Sequence, residues 1–169
     1  MDETSLHSCC NFATIFVLTC PRRVGKTGLI YHCFNQPEIH DNFITVSIDI
    51  LHTTSFQEFV KELGAAVFNT VAKRSEKLAK LFVTTLRSLS GSFGIDPTTY
   101  MPTFDIKLGQ INMPEYTLDE IFSYLEKADK PCIVAIDEFQ QITKYQEKNI
   151  EALLRGCIQK LINNHFVFA

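Results

Sequence analysis

Short, uninterrupted apolar segments that alternate with helical stretches constrain the fold of this chain more than any other feature. Residues 11–19 (NFATIFVLT), 42–50 (NFITVSIDI), 132–136 (CIVAI) and 165–169 (HFVFA) are rich in β-branched and aromatic side chains. Such composition is typical of strands in a parallel sheet, and the first and third segments are expected to be buried on both faces. Strands that alternate with helices indicate βαβ units with right-handed crossovers, so we expect an α/β fold with a mostly parallel sheet.

Helices are predicted where apolar residues recur at helical spacing. They are residues 25–34, 55–71, 78–89, 117–125 and 148–161. Ser55 is a predicted N-cap, and Thr117 with Glu120 forms a predicted capping box. Residues 91–114 are punctuated by glycine and proline and are interpreted as an insertion or an antiparallel hairpin.

Bulk properties exclude several classes of protein. A length of 169 residues corresponds to a single domain, 1–169, and a net charge of −3 gives no support to nucleic-acid binding, which stays open. No apolar run reaches the roughly 18–20 residues that a membrane span needs, and no signal peptide is evident. The six cysteines lack framework or C-x-x-C spacing, and the five histidines lack metal-ligand spacing. We therefore expect a cytoplasmic protein with free thiols and no membrane partner.

A glycine-containing basic loop follows the first predicted strand and precedes a predicted helix, which is the setting of a phosphate-binding loop. Gly25 would let the backbone approach phosphates, Lys26 would contact the β and γ phosphates, and the Thr27 hydroxyl would ligate Mg²⁺. Cys20 stands where the pattern G-x-x-x-x-G-K-[ST] has its first glycine. The predicted phosphate-binding residues are Cys20, Pro21, Arg22, Arg23, Val24, Gly25, Lys26, Thr27 and Gly28.

Two carboxylates end the apolar strand at residues 132–136, and another ends the strand at 42–50. Asp137 would hold Mg²⁺ through water, and Glu138 would orient and deprotonate an attacking water. Asp49 lies at the same predicted edge of the sheet and is a further candidate for contact with Mg²⁺ or water. The loop and the acidic pair predict the same nucleotide site, although an Asp-Glu pair by itself is also compatible with a solvated strand end.

The segments LTCPRRVGKTGLI and IVAIDEFQQI resemble the P-loop ATPases of the AAA+/STAND-related group, often called archaeal-type or prokaryotic ATPase domains, and the resemblance covers most of the chain. It implies a three-layer αβα sandwich with ATP and Mg²⁺ as ligands. By position, Lys26 and Thr27 match the Walker A pair, and Asp137 and Glu138 match the Walker B pair with Glu138 as catalytic base. Gln140 would contact the γ-phosphate or the attacking water.

The chain also departs from that family. Cys20 replaces a glycine, the segment before the first strand is short, and the family's polar sensor, helical lid and further domain are absent after Ala169. We therefore expect a P-loop core truncated after a core strand, with a missing C-terminal effector domain or a homo-oligomer among its partners.

The leading functional hypothesis is Mg²⁺-dependent ATP hydrolysis coupled to a conformational switch. The first alternative is a degenerate nucleotide-binding or interaction module without turnover, suggested by Cys20 and by the missing sensor and lid. A small-molecule kinase on the same fold is disfavoured because Glu138 directly after Asp137 suits the activation of water.

Overall fold

The computed structural model describes residues 13–19, 25–86, 88, 92–95, 97–98, 102–105, 111 and 113–169. Its strands are β1 (Thr14–Val17), β2 (Ile44–Asp49), β3 (Ser92–Ile95), β4 (Pro102–Asp105), β5 (Cys132–Asp137) and β6 (His165–Phe168). Its helices are α1 (Lys26–Phe34), α2 (Pro37–His40), α3 (Phe56–Arg74), α4 (Glu76–Thr85), α5 (Pro114–Glu126) and α6 (Ile150–Ile158), with a 3-10 helix at Phe139–Lys144.

Four strands form an all-parallel sheet in the order β1-β6-β5-β2, which confirms the predicted α/β class. The register pairs Thr14 of β1 with His165 of β6, and it pairs Asp49 of β2 with Asp137 of β5. Because the strands are parallel, their carboxyl ends lie along one edge, where ligands bind in open α/β sheets. β6 separates β1 from β5, so the residues that follow these two strands face each other across the end of β6.

Helices pack on both faces of the sheet. Val46, Val134 and Phe166 lie on one face and belong to the main hydrophobic core together with residues of α3, α5 and α6. On the opposite face, Ile30 of α1 packs with Ala135 in a smaller apolar cluster. Because successive side chains of a strand point to opposite faces of the sheet, the same short strands contribute apolar residues to both layers.

The prediction that the first strand is buried on both faces is wrong. In the structure β1 lies at an edge of the sheet, and Ile15, Phe16 and Val17 are 44%, 54% and 63% exposed. Among the described strands only β6 pairs with it. Apolar composition favours a strand, but it does not determine how many neighbours the strand has.

Two predicted helix starts have opposite outcomes. The Ser55 hydroxyl accepts a hydrogen bond from the Glu58 amide at 3.2 Å, which confirms the N-cap of α3. The capping box at Thr117 is wrong, because α5 begins earlier, at Pro114. Proline at the first helical position has φ preset for a helix and no N–H to satisfy, so the helix starts there without a side-chain cap.

Residues 92–95 and 102–105 form the antiparallel pair β3-β4, as the hairpin interpretation of residues 91–114 predicted. Residues 106–110 of the same stretch lie outside the described ranges. In the described part of the chain, no helix has both the length and the apolar character needed to cross a lipid bilayer.

Candidate functional site

The amino end of α1 lies at the carboxyl edge of the sheet, and no side chain of the described residues caps its backbone donors. Gly25 is the N-cap, with φ 84° and ψ 28°, a left-handed conformation that strains any residue carrying a Cβ. No side chain caps the helix, and its first turn carries no acidic residue. Within the described residues, the first N–H groups and the positive end of the helix dipole are therefore open to an anion, as in phosphate-binding loops.

The Thr27 hydroxyl donates a hydrogen bond to Oδ2 of Asp137, which joins the start of α1 to the end of β5. Asp137 is only 6% exposed, and its Oδ1 accepts the backbone N–H of Glu138 at 2.9 Å. The structure thus brings together the two residues that the sequence predicted as Mg²⁺ ligands.

A hydroxyl and a carboxylate are the hard oxygen ligands that Mg²⁺ prefers, and this ion usually binds few protein groups and keeps several waters. The pair therefore fits Mg²⁺ shared with a phosphate ligand. Within the described ranges, no group of three or more His, Cys, Asp or Glu side chains is arranged to hold a metal by itself. Water and phosphate oxygens would complete the coordination of a Mg²⁺ ion held by this pair.

Lys26 lines a cleft of about 600 Å³ at the carboxyl ends of β1 and β6. Gln140, Thr143 and Glu151 contribute polar groups to the same cleft. The rings of Phe139 and Phe168 also line it, with centroids 4.2 Å apart. Of these residues, the sequence singled out only Lys26 and Gln140, because membership of the cleft depends on which elements meet in space.

Glu138 has an unusual backbone conformation directly after the buried Asp137. Its φ of 57° and ψ of 37° place a non-glycine residue in the left-handed region. Such conformations cost roughly 1–3 kcal/mol and cluster at functional sites. Its side-chain Oε2 accepts a hydrogen bond from the Gln140 amide, so the two predicted site residues form a pair.

Asp49 lies at the predicted edge, in register with Asp137 on the neighbouring strand. Its carboxylate is exposed and accepts the Leu51 N–H at 2.9 Å, an interaction that closes the turn after β2. No hydrogen bond between Asp49 and Thr27 or Asp137 occurs among the described residues, so its contact with Mg²⁺ or water stays a prediction.

The phosphate contacts predicted for Cys20, Pro21, Arg22, Arg23 and Val24 fall on residues outside the described ranges and stay predictions as well.

A polar network connects the segment after the acidic pair to the turn that precedes α3. The Gln141 amide donates to the Thr53 carbonyl at 2.9 Å, and the Thr53 hydroxyl hydrogen-bonds to the Tyr145 hydroxyl. Burial raises the pKa of Tyr145, so the phenol stays neutral at physiological pH. Sequence reasoning missed this network, and no motif marks it.

The fold and the site together define an α/β protein whose polar residues gather at the carboxyl edge of a parallel sheet. No protein-family model matches the chain, and no curated protein matches it. Function is therefore inferred from the residues of the site and from the resemblance that its motifs carry.

Proposed function

We propose that this chain is the core of a P-loop ATPase that binds ATP with Mg²⁺ and hydrolyses it. The observation that carries the proposal is the contact between the Thr27 hydroxyl and the Asp137 carboxylate at the amino end of α1. The two residues come from separate motifs 110 positions apart, and a third strand lies between the strands that precede and carry them. Each motif is weak evidence alone, whereas their meeting is what one nucleotide site requires.

Binding would use the backbone donors and the charge at the start of α1. The N–H groups of Lys26, Thr27 and Gly28 would donate hydrogen bonds to phosphate oxygens, and the Lys26 ammonium would contact the β and γ phosphates. Thr27 and Asp137 would hold Mg²⁺, which would neutralise charge on the β and γ phosphate oxygens.

Hydrolysis would use Glu138 as general base. Its carboxylate would accept a proton from a water molecule as the water oxygen bonds to the γ-phosphorus. The bond between that phosphorus and the oxygen bridging to the β-phosphate would break, releasing ADP and inorganic phosphate. Gln140 already hydrogen-bonds to Glu138 and would hold the carboxylate in place.

Titration of the protein with a fluorescent ATP analogue, with Mg²⁺ and with EDTA, tests binding. We expect saturable Mg²⁺-dependent binding that Lys26→Ala weakens by at least about tenfold, a loss of roughly 1.4 kcal/mol. Lys77→Ala, at an exposed position of α4, is the matched control and should bind like the parent. Binding that Lys26→Ala leaves unchanged would contradict the proposal.

The second candidate is a nucleotide-binding module without turnover. One observation favours it. The Gln140 amide donates a hydrogen bond to the Glu138 carboxylate, and this contact would compete with the attacking water for the general base. Release of phosphate from ATP separates the candidates, because an ATPase should lose turnover in Glu138→Gln while retaining nucleotide binding. Little or no phosphate release by the parent, unchanged in Glu138→Gln and with intact binding, supports the module.

The network of Gln141, Thr53 and Tyr145 supports the idea of a conformational switch. It links the segment that follows Glu138 to the start of α3 through direct hydrogen bonds. A change at the γ-phosphate could therefore reach α3 through contacts already present.

A further inference from the structure

The outer edge of β2 presents a row of backbone groups that no described strand pairs with. β2 is an edge strand whose partner is β5. The N–H groups of Ile44 and Ile50 donate toward β5, to the carbonyls of Pro131 and Asp137 at 2.9 and 3.2 Å. Because backbone groups alternate between the two sides of a strand, those of Thr45, Ser47 and Asp49 point to the open edge.

This edge lies in a groove of about 650 Å³ between two helices. Tyr31 and Phe34 of α1 line one side, and Ala65 and Ala66 of α3 are among the residues lining the other. A strand added to β2 would direct alternate side chains toward α1 and toward α3. The edge is therefore recessed between two walls, unlike the exposed edge formed by β1.

The ends of the groove carry opposite charges. Lys73 and Arg74, at the end of α3, lie near the beginning of β2, where Arg74 Nη2 donates to the Phe43 carbonyl at 2.8 Å. Glu62 and Asp49 lie toward the carboxyl end of β2. The only ion pair recorded for Glu62 within the described residues is with exposed His52 at 3.6 Å. The groove is thus cationic at one end and anionic at the other.

We propose that this groove binds an extended segment of another polypeptide, which adds to β2 as a further strand of the sheet. Main-chain hydrogen bonds to Thr45, Ser47 and Asp49 would supply the pairing, as in other cases of strand addition. An acidic side chain of the partner would lie near Lys73 and Arg74, and a basic one near Glu62. Apart from Asp49, a candidate contact for Mg²⁺ or water, the groove residues named here do not belong to the nucleotide site, and this binding does not depend on ATP hydrolysis.

The test uses the fluorescein-labelled peptide Glu-Val-Thr-Val-Thr-Val-Lys and hydrogen exchange of the full chain. Fluorescence anisotropy should show saturable binding. The bound peptide should slow exchange at the amides of Thr45 and Ser47, which point outward, and change little at Val46 and Ile48, which already pair with β5. Saturable binding without this alternating protection would overturn strand addition.

Two N-methylated copies of the peptide test main-chain pairing directly. One is methylated at its valines and the other at its threonines, so side chains and charges are unchanged. Because only one set of amides faces β2, one copy should lose binding and the other should retain it. Equal affinity of both copies would contradict the proposal.

Charge reversal tests the basic end of the groove. Lys73→Glu should weaken binding of the parent peptide by roughly threefold, the effect of one exposed ion pair. Lys77→Glu makes the same charge change on α4, away from the groove, and should leave affinity unchanged. Absence of saturable binding, or a dimer of this chain that protects the same amides, would overturn the assignment to another polypeptide.

Discussion

Asp137 is the side chain at which two distant parts of the sequence meet. It is almost completely buried, yet among the described residues it accepts only two hydrogen bonds, from the Thr27 hydroxyl and from the Glu138 backbone. A buried carboxylate is costly unless it is well paired. Its retention at the end of a sheet strand is readily explained if a cation binds there.

Two substitutions of Thr27 test separately what its hydroxyl and its branched shape contribute to Mg²⁺-dependent binding. Thr27→Val keeps the branched shape and removes the oxygen, so we expect the Mg²⁺ concentration required for half-maximal ATP binding to rise by about tenfold. Thr27→Ser retains the hydroxyl and should behave like the parent. Magnesium titrations of nucleotide binding measure this, and equal requirements in all three proteins would remove Thr27 from the site.

Gln140 is predicted to act by positioning Glu138. Gln140→Leu removes the amide that holds the carboxylate, so we expect kcat for ATP hydrolysis to fall by about tenfold, a fraction of what a general base contributes. KM should change little, because Gln140 would act on the chemical step. Steady-state phosphate release gives both constants. An unchanged kcat, or a change confined to KM, would contradict this role.

Two buried cysteines predict a loss of stability at alkaline pH. Burial raises the pKa of Cys132 to about 12 and that of Cys157 to about 11. Both values lie above the ordinary value of 9.0, so the folded state holds its thiol protons longer than the unfolded state. This contribution to stability is complete below pH 9 and is lost as pH rises above it.

Urea unfolding at neutral pH and near pH 10 measures this effect. For Cys132 the loss should be roughly 1 kcal/mol over that interval, because one pKa unit corresponds to about 1.4 kcal/mol. Cys132→Ala should be less stable than the parent at both values, since a buried side chain is shortened, but its stability should depend less on pH. Identical pH dependence in the two proteins would show that Cys132 does not titrate in this way.

The N-cap of helix α3 can be tested by removing a single oxygen atom, that of the Ser55 hydroxyl. The Ser55 hydroxyl caps it by accepting the Glu58 N–H. Ser55→Ala should lower the free energy of unfolding by about 1 kcal/mol, the usual cost of losing an N-cap. Ser123→Ala is the control, because Ser123 is exposed within α5, where alanine is the better helix former. Denaturant unfolding measures both variants. An equal change in the free energy of unfolding would contradict the capping role of Ser55.

The elements show which signals the sequence carries. Local chemistry was sufficient for α3, whose start depends on Ser55, and for the stretch that follows Gly25. It was misleading at Thr117, because Pro114 offered an earlier start and Glu120 is buried and accepts the Ser88 N–H at 3.1 Å. Strand composition identified β1 as a strand but not as an edge, since strand order depends on pairing between distant segments.

The candidate site also contains some residues that the sequence predicts and others that it does not. Thr27 and Asp137 could be predicted because spacing rules connect each with its function. The contact of Thr53 with Tyr145 could not, because the two are 92 positions apart and neither belongs to a motif. The cleft residues Phe139 and Phe168 likewise become neighbours only when the carboxyl ends of β5 and β6 meet.

For the whole molecule, the exposed β1 edge predicts self-association. Unpaired edge strands with exposed apolar side chains tend to pair with other chains, and charged residues oppose this. Phe16→Lys should therefore reduce light scattering as protein concentration rises, with a melting temperature close to that of the parent. Ile162→Lys changes a similarly exposed apolar residue that belongs to none of the described strands and should scatter like the parent. Equal light scattering by both variants would exclude the β1 edge as the surface through which the protein self-associates.

The sheet order also fixes a sequence of events during synthesis. β1 leaves the ribosome before its partner β6, which is the last of the described strands. β2 and β5 can pair earlier, so the part of the sheet that contains Asp137 can form before β1 has paired with β6. We therefore expect the contact between Thr27 and Asp137 to form only after β6 has been made, and competence to bind a ligand there should appear at the same point.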